Sequence, residues 1–205
     1  MIGTLFEDAL TSGLDVEVEA ASGWRAPLPI GRWNARPTGA DLTLVDRCFG
    51  VTLDIGCGPG RFVAELARRG VPALGIDITA AAVSSTRARG GLALERDVFG
   101  PLPGAGRWET VLLADGNIGI GGDPVRLLSR VATLLGPHGR ALIELSGRGA
   151  GRGSFAVRLR IGDAYGRWFR WAELGVADLD AVAEQTSLTV TEIWSEGRRW
   201  FACLA

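Results

Sequence analysis

The stretch Thr52-Leu-Asp-Ile-Gly-Cys-Gly-Pro-Gly-Arg-Phe62 decides the fold of this chain, because an apolar run stops at an acid and opens into a glycine-rich turn. Residues 51 to 55 are mostly aliphatic or β-branched, which is typical of a strand buried on both faces. The run from 62 to 69 has its apolar positions at helical spacing. Glycine suits the turn between them, since its backbone takes positive φ and leaves space for a ligand. We therefore predict a strand, a binding loop and a helix, with Pro59 in the first turn of that helix.

The charge of this loop distinguishes between possible ligands. A dinucleotide fingerprint needs Gly-x-Gly-x-x-Gly, with the pyrophosphate on helix N–H groups. The loop here is instead Gly56-x-Gly58-x-Gly60, and Arg61 stands at the third position after Gly58. Asp54, two residues before the first glycine, would repel a pyrophosphate and favour a cationic ligand. We therefore expect the loop not to bind NAD.

The stretch from Leu53 to Gly60 resembles the first motif of class I S-adenosylmethionine-dependent methyltransferases. The cofactor of that family carries an ammonium and a sulfonium, which agrees with an acid beside the loop. The resemblance implies that this loop contributes four cofactor contacts, namely Asp54, Gly56, Cys57 and Gly58.

A second predicted strand, from Val71 to Asp77, also ends in an acid. Asp77 lies 21 residues after Gly56. This is close to the spacing of about 20 residues at which an acid binds a ribose hydroxyl. We therefore expect the cofactor ribose at Asp77, with Ile78 beside it.

Two more predicted strands, at 92 to 96 and 110 to 114, are also followed by acids. The resemblance implies that Asp97 reaches the adenine amino group and that Val98 packs on the ring. At the end of the other strand it adds three cofactor contacts, namely Ala114, Asp115 and Asn117. The carboxyl ends of parallel strands meet at one edge of a sheet, which is where doubly wound α/β folds bind ligands.

The remaining elements complete one large α/β unit. The chain has 205 residues, of which 47% are hydrophobic, and this is enough for a buried sheet. The last two predicted strands, 188 to 194 and 200 to 204, are joined by a tight turn and must be antiparallel. We predict a doubly wound, seven-stranded sheet with an antiparallel last strand, the Rossmann-like methyltransferase fold, over residues 39–205. A hairpin insertion is expected at 155–171, after a flexible connection at 147–153.

Residues 1–38 are predicted to form an N-terminal cap segment, with a short helix at 5–10 and a loop at 22–40 that runs to the start of the next domain. Two interpretations of this segment are open. In one, Trp24 and Trp33 cover the edge of the core and the neighbouring arginines are solvated. In the other, the segment folds over the cofactor. Arg32 or Arg36 then lies near the methionine carboxylate, and Trp33 forms a wall of the site.

Composition argues against several other kinds of chemistry. All 22 basic residues are arginine, which excludes Schiff-base and general-base mechanisms that need lysine. His138 is the only histidine, and it lies in a turn predicted at 136–139, at the edge opposite the acids, so we do not expect it to be catalytic. The three cysteines, Cys48, Cys57 and Cys203, lack the spacing of a metal site or a disulfide framework, so no metal site is expected.

Charge and hydropathy bear on partners and location. The formal net charge is −1 and no long basic block occurs, so we expect no nucleic-acid partner. No apolar run approaches the ~18 residues of a membrane span, and no signal segment is apparent. We therefore expect a cytoplasmic protein without a membrane partner, and the oligomeric state stays open.

These observations favour S-adenosylmethionine-dependent transfer of a methyl group to a small-molecule acceptor by in-line displacement. Residues 115 to 122 are small, so we expect room for the acceptor there. In some members of the resembling family, a proline and an aromatic residue follow the acid that corresponds to Asp115. Asn117 departs from that pattern, and this departure disfavours methylation of an amide or nucleobase nitrogen. No catalytic residue can be named. A nucleotide-binding oxidoreductase of Rossmann type and a non-catalytic protein with a methyltransferase core are the alternatives.

Overall fold

The computed structural model describes residues 15–147 and 152–205, together with the single residues 5, 7 and 10. Its strands, in chain order, are β1 (Glu17–Ala20), β2 (Arg25–Pro27), β3 (Thr52–Ile55), β4 (Ala73–Asp77), β5 (Leu92–Glu95), β6 (Trp108–Leu113), β7 (Leu135–Leu145), β8 (Gly153–Ile161), β9 (Ala164–Tyr165), β10 (Phe169–Glu173), β11 (Val190–Glu196) and β12 (Arg199–Leu204). Its helices are α1 (Ile30–Asn34), α2 (Ala40–Val45), α3 (Arg61–Arg68), α4 (Ala80–Ala88), α5 (Pro124–Leu134) and α6 (Leu179–Ala183). Turns of 3₁₀ helix cover Asn117–Gly122 and Val176–Asp178.

The central sheet has seven strands in the order β11–β12–β7–β6–β3–β4–β5. The five strands from β7 to β5 run parallel, and β12 lies antiparallel between β7 and β11. The predicted doubly wound sheet with an antiparallel last strand is therefore confirmed. The strand order reverses between β3 and β6, and ligands bind such sheets at the carboxyl ends of the strands beside the reversal.

Helices cover both faces of the central sheet. On one face, Leu44 of α2 and Phe62 and Leu66 of α3 pack with Leu112 of β6 and Phe201 of β12. On the other face, α5 and α6 contribute to a larger cluster through Leu127, Leu128, Val131, Leu134, Leu179 and Val182. Strands buried on both faces need nearly continuous apolar runs, which is why the sequence predicts them well.

A second sheet joins distant parts of the chain. β1 lies between β2 and β8, while β8 also pairs with β10 and with the short β9, and all of these pairings are antiparallel. The hairpin predicted at 155–171 corresponds to β8 and β10, with Phe169 opposite Val157. The segment predicted as an N-terminal cap supplies β1 and β2, so cap and hairpin form one sheet.

Three local predictions are wrong in detail. Pro59 precedes α3, because Gly60 takes a left-handed conformation (φ 81°) and the helix begins at Arg61. The turn predicted at 136–139 belongs to the long strand β7, whose pairing with β6 begins at Leu135 and contains an irregularity. The loop predicted at 22–40 contains β2, α1 and the start of α2.

Two predicted segments fall partly outside the described residues. Of the helix expected at 5–10, residues 5, 7 and 10 are described, and these are helical. Of the connection expected at 147–153, residues 148–151 lie outside the described part. Within the described ranges, none of the helices combines the length and the apolar character that crossing a bilayer requires.

Candidate active site at the carboxyl edge of the central sheet

The glycine loop after β3 is shaped partly by packing and partly by open space. All three glycines have positive φ, at 70° for Gly56, 53° for Gly58 and 81° for Gly60. A Cβ on Gly56 would lie 2.8 Å from Asn117 Nδ2, and one on Gly60 would lie 2.3 Å from Thr86 Oγ1. A Cβ on Gly58 would meet no atom of the described residues within 4 Å. Gly58 is therefore the glycine that leaves room for a ligand, while the other two allow the loop to pack.

Asp54, at the end of β3, is a buried carboxylate with an unsatisfied atom. The residue is 1% exposed, and its Oδ2 has no hydrogen-bond partner among the described residues. Burial raises the pKa of Asp54 to about 7, and the negative charge of Asp115 adds to this although Arg61 opposes it. An unpartnered buried polar group is costly, so its retention points to a ligand that satisfies it.

Asp77, at the end of β4, holds the glycine loop in place. Its Oδ2 accepts a hydrogen bond from the backbone N–H of Gly58 at 3.0 Å. Its Oδ1 accepts from the backbone N–H and the hydroxyl of Thr79, at 3.0 and 2.8 Å. Burial raises the pKa of this carboxyl against those hydrogen bonds. The neighbouring Ile78 is 46% exposed, so an apolar side chain stands open beside Asp77.

Asp97 and Val98 follow β5 in different environments. Asp97 is exposed, and its Oδ1 accepts from the backbone N–H of Phe99 at 2.9 Å. Val98 is buried in the larger core cluster, and its carbonyl accepts from Nε of Arg130 at 2.9 Å. Both residues therefore lie at the predicted edge, with Asp97 accessible and Val98 packed inward.

Asn117 ties the segment after β6 to the glycine loop. Its Nδ2 donates to the carbonyls of Ile55 and Gly56, at 2.8 and 2.9 Å. Ala114, just before this segment, is 2% exposed and belongs to the core. Asn117 thus positions the loop, and it does so from the first residue of the 3₁₀ turn.

The expectation that residues 115 to 122 leave room for an acceptor is wrong where this segment meets β10, at the Cβ side of Gly119 and Gly122. A Cβ on Gly119 would lie 2.2 Å from the carbonyl oxygen of Ala172 in β10. One on Gly122 would lie 2.7 Å from Cβ of Arg170. The glycines there admit β10 instead of leaving space. Gly116 is different, because a Cβ on it would meet nothing within 4 Å.

Asp115 is held by arginines in a strained conformation. Of the described residues other than glycine, it alone has positive φ, at 55°. Its carboxylate pairs with Arg32 and, at 2.9 Å, with Nη2 of Arg61, while Arg199 lies 3.8 Å away. Its backbone N–H donates to Oε2 of Glu144 at 2.7 Å. Backbone strain of this kind persists where surrounding contacts fix it, and it clusters at functional sites.

Asp41 of α2 completes this ion-pair network. Arg61 Nη2 donates to its Oδ1 at 2.9 Å, and Arg199 Nη1 donates to the same oxygen at 2.5 Å. Burial would raise the pKa of Asp41, but the hydrogen bonds from the two arginines outweigh it and hold the pKa at about 2. The network joins α2, α3 and β12, and it includes Asp115, the partner of Arg32, near which the sequence predicts the methionine carboxylate of the cofactor.

Arg32 and Trp33 lie near the site in different roles. Arg32 pairs with Asp115 at the surface of the network, and its side chain is 40% exposed. Trp33 packs against a small cluster that includes Val16, Ala82 of α4 and Leu159 of β8. This placement agrees with the interpretation in which Trp33 covers a core, whereas Trp24 is 54% exposed and does not.

Sequence reasoning missed most of the ion-pair network. Arg61 stands out in the sequence only because it breaks the dinucleotide pattern, and nothing in the sequence around Asp41 indicates an ion pair. Arg199, at the start of β12, carries no local signal. A charged residue inside a strand that is otherwise buried, as at Glu144, was the one available hint of a buried partner.

A family model described as a methyltransferase domain matches residues 33–178. Among solved structures, an S-adenosylmethionine-dependent methyltransferase from Bacteroides fragilis, in complex with S-adenosyl-L-homocysteine, is similar over 100% of this chain and 93% of that one, with a TM-score of 0.84 and 22% identity. The 1,6-didemethyltoxoflavin N1-methyltransferase from Burkholderia thailandensis is similar over 75% and 69%, with a TM-score of 0.57 and 18% identity. The sugar N-methyltransferase KedS8 from Streptoalloteichus is similar over 80% and 83%, with a TM-score of 0.56 and 16% identity. No curated protein sequence matches the chain.

Proposed function

This chain belongs to the class I S-adenosylmethionine-dependent methyltransferase family, and from that premise we propose that it methylates a small-molecule acceptor. The observation that carries the proposal is the buried Oδ2 of Asp54, which has no partner among the described residues, in the strand that leads into the glycine loop and the open space at Gly58. A cationic ligand satisfies such a carboxylate, whereas a pyrophosphate would be repelled by it. The residues present therefore fit S-adenosylmethionine.

When bound, S-adenosylmethionine supplies a methyl group on a sulfonium sulfur that is its own leaving group. The protein then has mainly to hold the acceptor in line and exclude water, and no strong base is needed unless the acceptor must first lose a proton. The arginines around Asp115 keep its carboxylate in ion pairs, so we assign it a positioning role.

We assign the binding roles from the positions of the side chains. Asp77 accepts from a ribose hydroxyl through the lone pairs that Gly58 and Thr79 leave free, since each carboxylate oxygen can accept twice. The exposed Ile78 lies against the adenine, Asp97 accepts from its amino group, and Val98 backs the ring. Cys57, Gly56 and Asn117 shape the loop from beneath.

The second sheet is proposed to form the cover of the acceptor side. β10 lies directly against the 3₁₀ turn that follows β6, as the close approach of Ala172 and Gly119 requires. Arg32 fastens the N-terminal part of this cover to Asp115. Residues 39–205 would then form the cofactor-binding domain, while residues 1–38 contribute to the cover.

Calorimetry tests the proposal. S-adenosylmethionine and S-adenosylhomocysteine are expected to bind, and NAD is not, because Asp54 favours a positive ligand. Tight binding of NAD without binding of S-adenosylhomocysteine would support the oxidoreductase alternative and end this proposal. Incubation with S-adenosylmethionine and a panel of small acceptors, with S-adenosylhomocysteine as the measured product, separates an enzyme from a non-catalytic relative.

A further inference from the structure

A cavity rich in arginine opens where the 3₁₀ turn after β6 meets the start of α5 and the strands β8 and β10. Its volume is about 560 Å³, within the range of about 300–1,000 Å³ that small-molecule sites occupy. The side chains that line it include Arg126, Arg152, Arg170, Ser154 and Asp123. Among the described residues that line it, three guanidinium groups stand against one carboxylate, a net of two positive charges.

These three arginines differ from those of the ion-pair network. Within residues 15–147 and 152–205, no carboxylate lies within 4.0 Å of the guanidinium nitrogens of Arg126, Arg152 or Arg170. Asp123 is engaged elsewhere, since its Oδ1 caps α5 by accepting from the backbone N–H of Arg126 at 3.1 Å. The cavity therefore concentrates positive charge that the carboxylates of the described residues do not neutralise by ion pairing.

Two of the arginines are held in position. The guanidinium of Arg126 lies 4.0 Å from the centre of the Phe99 ring. Arg170 Nη2 donates to the hydroxyl of Ser154 at 2.9 Å, and its Cβ packs against Gly122. A guanidinium fixed in this way presents a planar set of donors that matches the oxygens of a carboxylate or phosphate.

The cavity lies close to the cofactor loop. Asn117, at one end of the 3₁₀ turn, donates to the carbonyl of Gly56, and Gly122, at the other end, lines the cavity. Five residues span at most about 18 Å even when fully extended. Residues 117 and 122 are therefore at most about 18 Å apart, a separation that an elongated small molecule can span.

We propose that this cavity binds an oxyanion group of the methyl acceptor, a carboxylate or a phosphate, and so orients the acceptor with its nucleophile toward the cofactor loop. That the bound molecule is a methyl acceptor rests on the proposed function, whereas the binding of an oxyanion in this cavity does not. An acceptor of this kind is a small acid or a phosphorylated small molecule.

The test measures oxyanion binding by calorimetry on the full chain at low salt, with inorganic phosphate and with succinate as probes, in the presence of S-adenosylhomocysteine. The variants are Arg126→Gln and Arg170→Gln, and circular dichroism checks their folding. Arg107→Gln is the matched control, because Arg107 is an exposed arginine at the amino end of β6, the opposite edge of the sheet. It removes the same charge at a distance.

At least one probe is expected to bind, and its affinity should fall about tenfold or more in each cavity variant, the range for losing a hydrogen bond to a charged group. The control should change it by less than about twofold. If only phosphate binds, the acceptor carries a phosphate group, and if only succinate binds, it carries a carboxylate. Failure of both probes, or an equal loss in the control, overturns the proposal. If S-adenosylhomocysteine does not bind while the arginine dependence holds, the proposed function fails and the oxyanion site stands.

Discussion

At the scale of single residues, Asp54 places folding and binding in opposition. Oδ2 of this buried carboxylate has no partner among the described residues, and burial raises the pKa of Asp54 to about 7. The folded protein therefore binds a proton there more tightly than the unfolded chain does. Stability from this group is fully present below the unfolded pKa of about 4 and is lost as the pH rises toward 7. A cationic ligand reverses that loss.

Asp54→Asn should therefore stabilise the ligand-free protein at pH 8 relative to pH 5. The difference between variant and wild type should grow by about 2–3 kcal/mol between the two pH values, since two pH units lie between pH 5 and the folded pKa. Urea unfolding at both pH values measures this, and calorimetry should show weaker S-adenosylhomocysteine binding. Asp163→Asn, at an exposed carboxylate in the turn between β8 and β9, is the control. An equal free-energy difference at both pH values would show that Asp54 is not the group involved.

Asp77→Ala should lower both cofactor affinity and stability. Loss of a charge-assisted hydrogen bond to a ribose hydroxyl costs about 1.5–3 kcal/mol of binding free energy. The free energy of unfolding should fall by about 1–2 kcal/mol, because the backbone N–H groups of Gly58 and Thr79 lose their acceptor. Titration calorimetry and urea unfolding measure the two effects. Asp77→Asn keeps one acceptor oxygen and should be intermediate, and an unchanged dissociation constant in Asp77→Ala would move the ribose contact elsewhere.

At the scale of elements, the 3₁₀ turn Asn117–Gly122 connects the two sheets. Its first residue braces the glycine loop through the carbonyls of Ile55 and Gly56. Gly119 and Gly122 lie so close to β10 that a Cβ on either residue would clash with it. One short turn therefore couples the loop geometry to the position of the second sheet.

Gly119→Ala should push β10 away and lower the free energy of unfolding by about 1–3 kcal/mol, the usual cost of overpacking. Gly31→Ala is the control, because Gly31 lies in α1 and a Cβ there meets nothing within 4 Å. That change should be neutral or stabilising by up to about 1 kcal/mol. Thermal unfolding of both variants compares them. Equal stability of Gly119→Ala and wild type would mean that β10 can shift without loss.

The elements also show where prediction from sequence succeeds. The strands of the central sheet and the loop at 56–60 have local signals, namely apolar runs, terminal acids and glycines. The pairing of β1 with β8 has no local signal, because nothing in either short stretch of sequence identifies the strand with which it pairs. The hydrogen bonds from Arg199 to Glu144 and Asp41 cannot be predicted from local sequence either, since they depend on which elements pack together.

At the scale of the whole molecule, the N-terminal segment is a structural part of the second sheet. β1 lies in the middle of that sheet, and Trp33 joins a cluster with Val16, Ile30 and Ala82. Arg32 adds an ion pair to Asp115. The segment is thus bound to the rest of the protein by strand pairing, apolar contact and charge.

Deletion of residues 1–37 should therefore cause aggregation or loss of cooperative unfolding, because it exposes one edge of β8 and uncovers Ala82 and Leu159. Circular dichroism, size-exclusion chromatography and a cofactor titration on the same sample measure this. Trp24→Ser, at an exposed tryptophan in the same segment, should leave folding and binding unchanged. A folded, monomeric truncation with full cofactor affinity would contradict the assignment.

The position of β1 also has a consequence for biosynthesis. Glu17 and its ion-pair partner Arg160 are 143 positions apart, and every residue of the central parallel strands is made between them. At about 5–20 residues per second, a ribosome delivers β8 about 7–30 s after β1. During that interval β1 and β2 form at most a hairpin, and an isolated hairpin is marginally stable in water. The second sheet must therefore assemble late, onto a nascent chain in which most of the parallel strands are already available to fold.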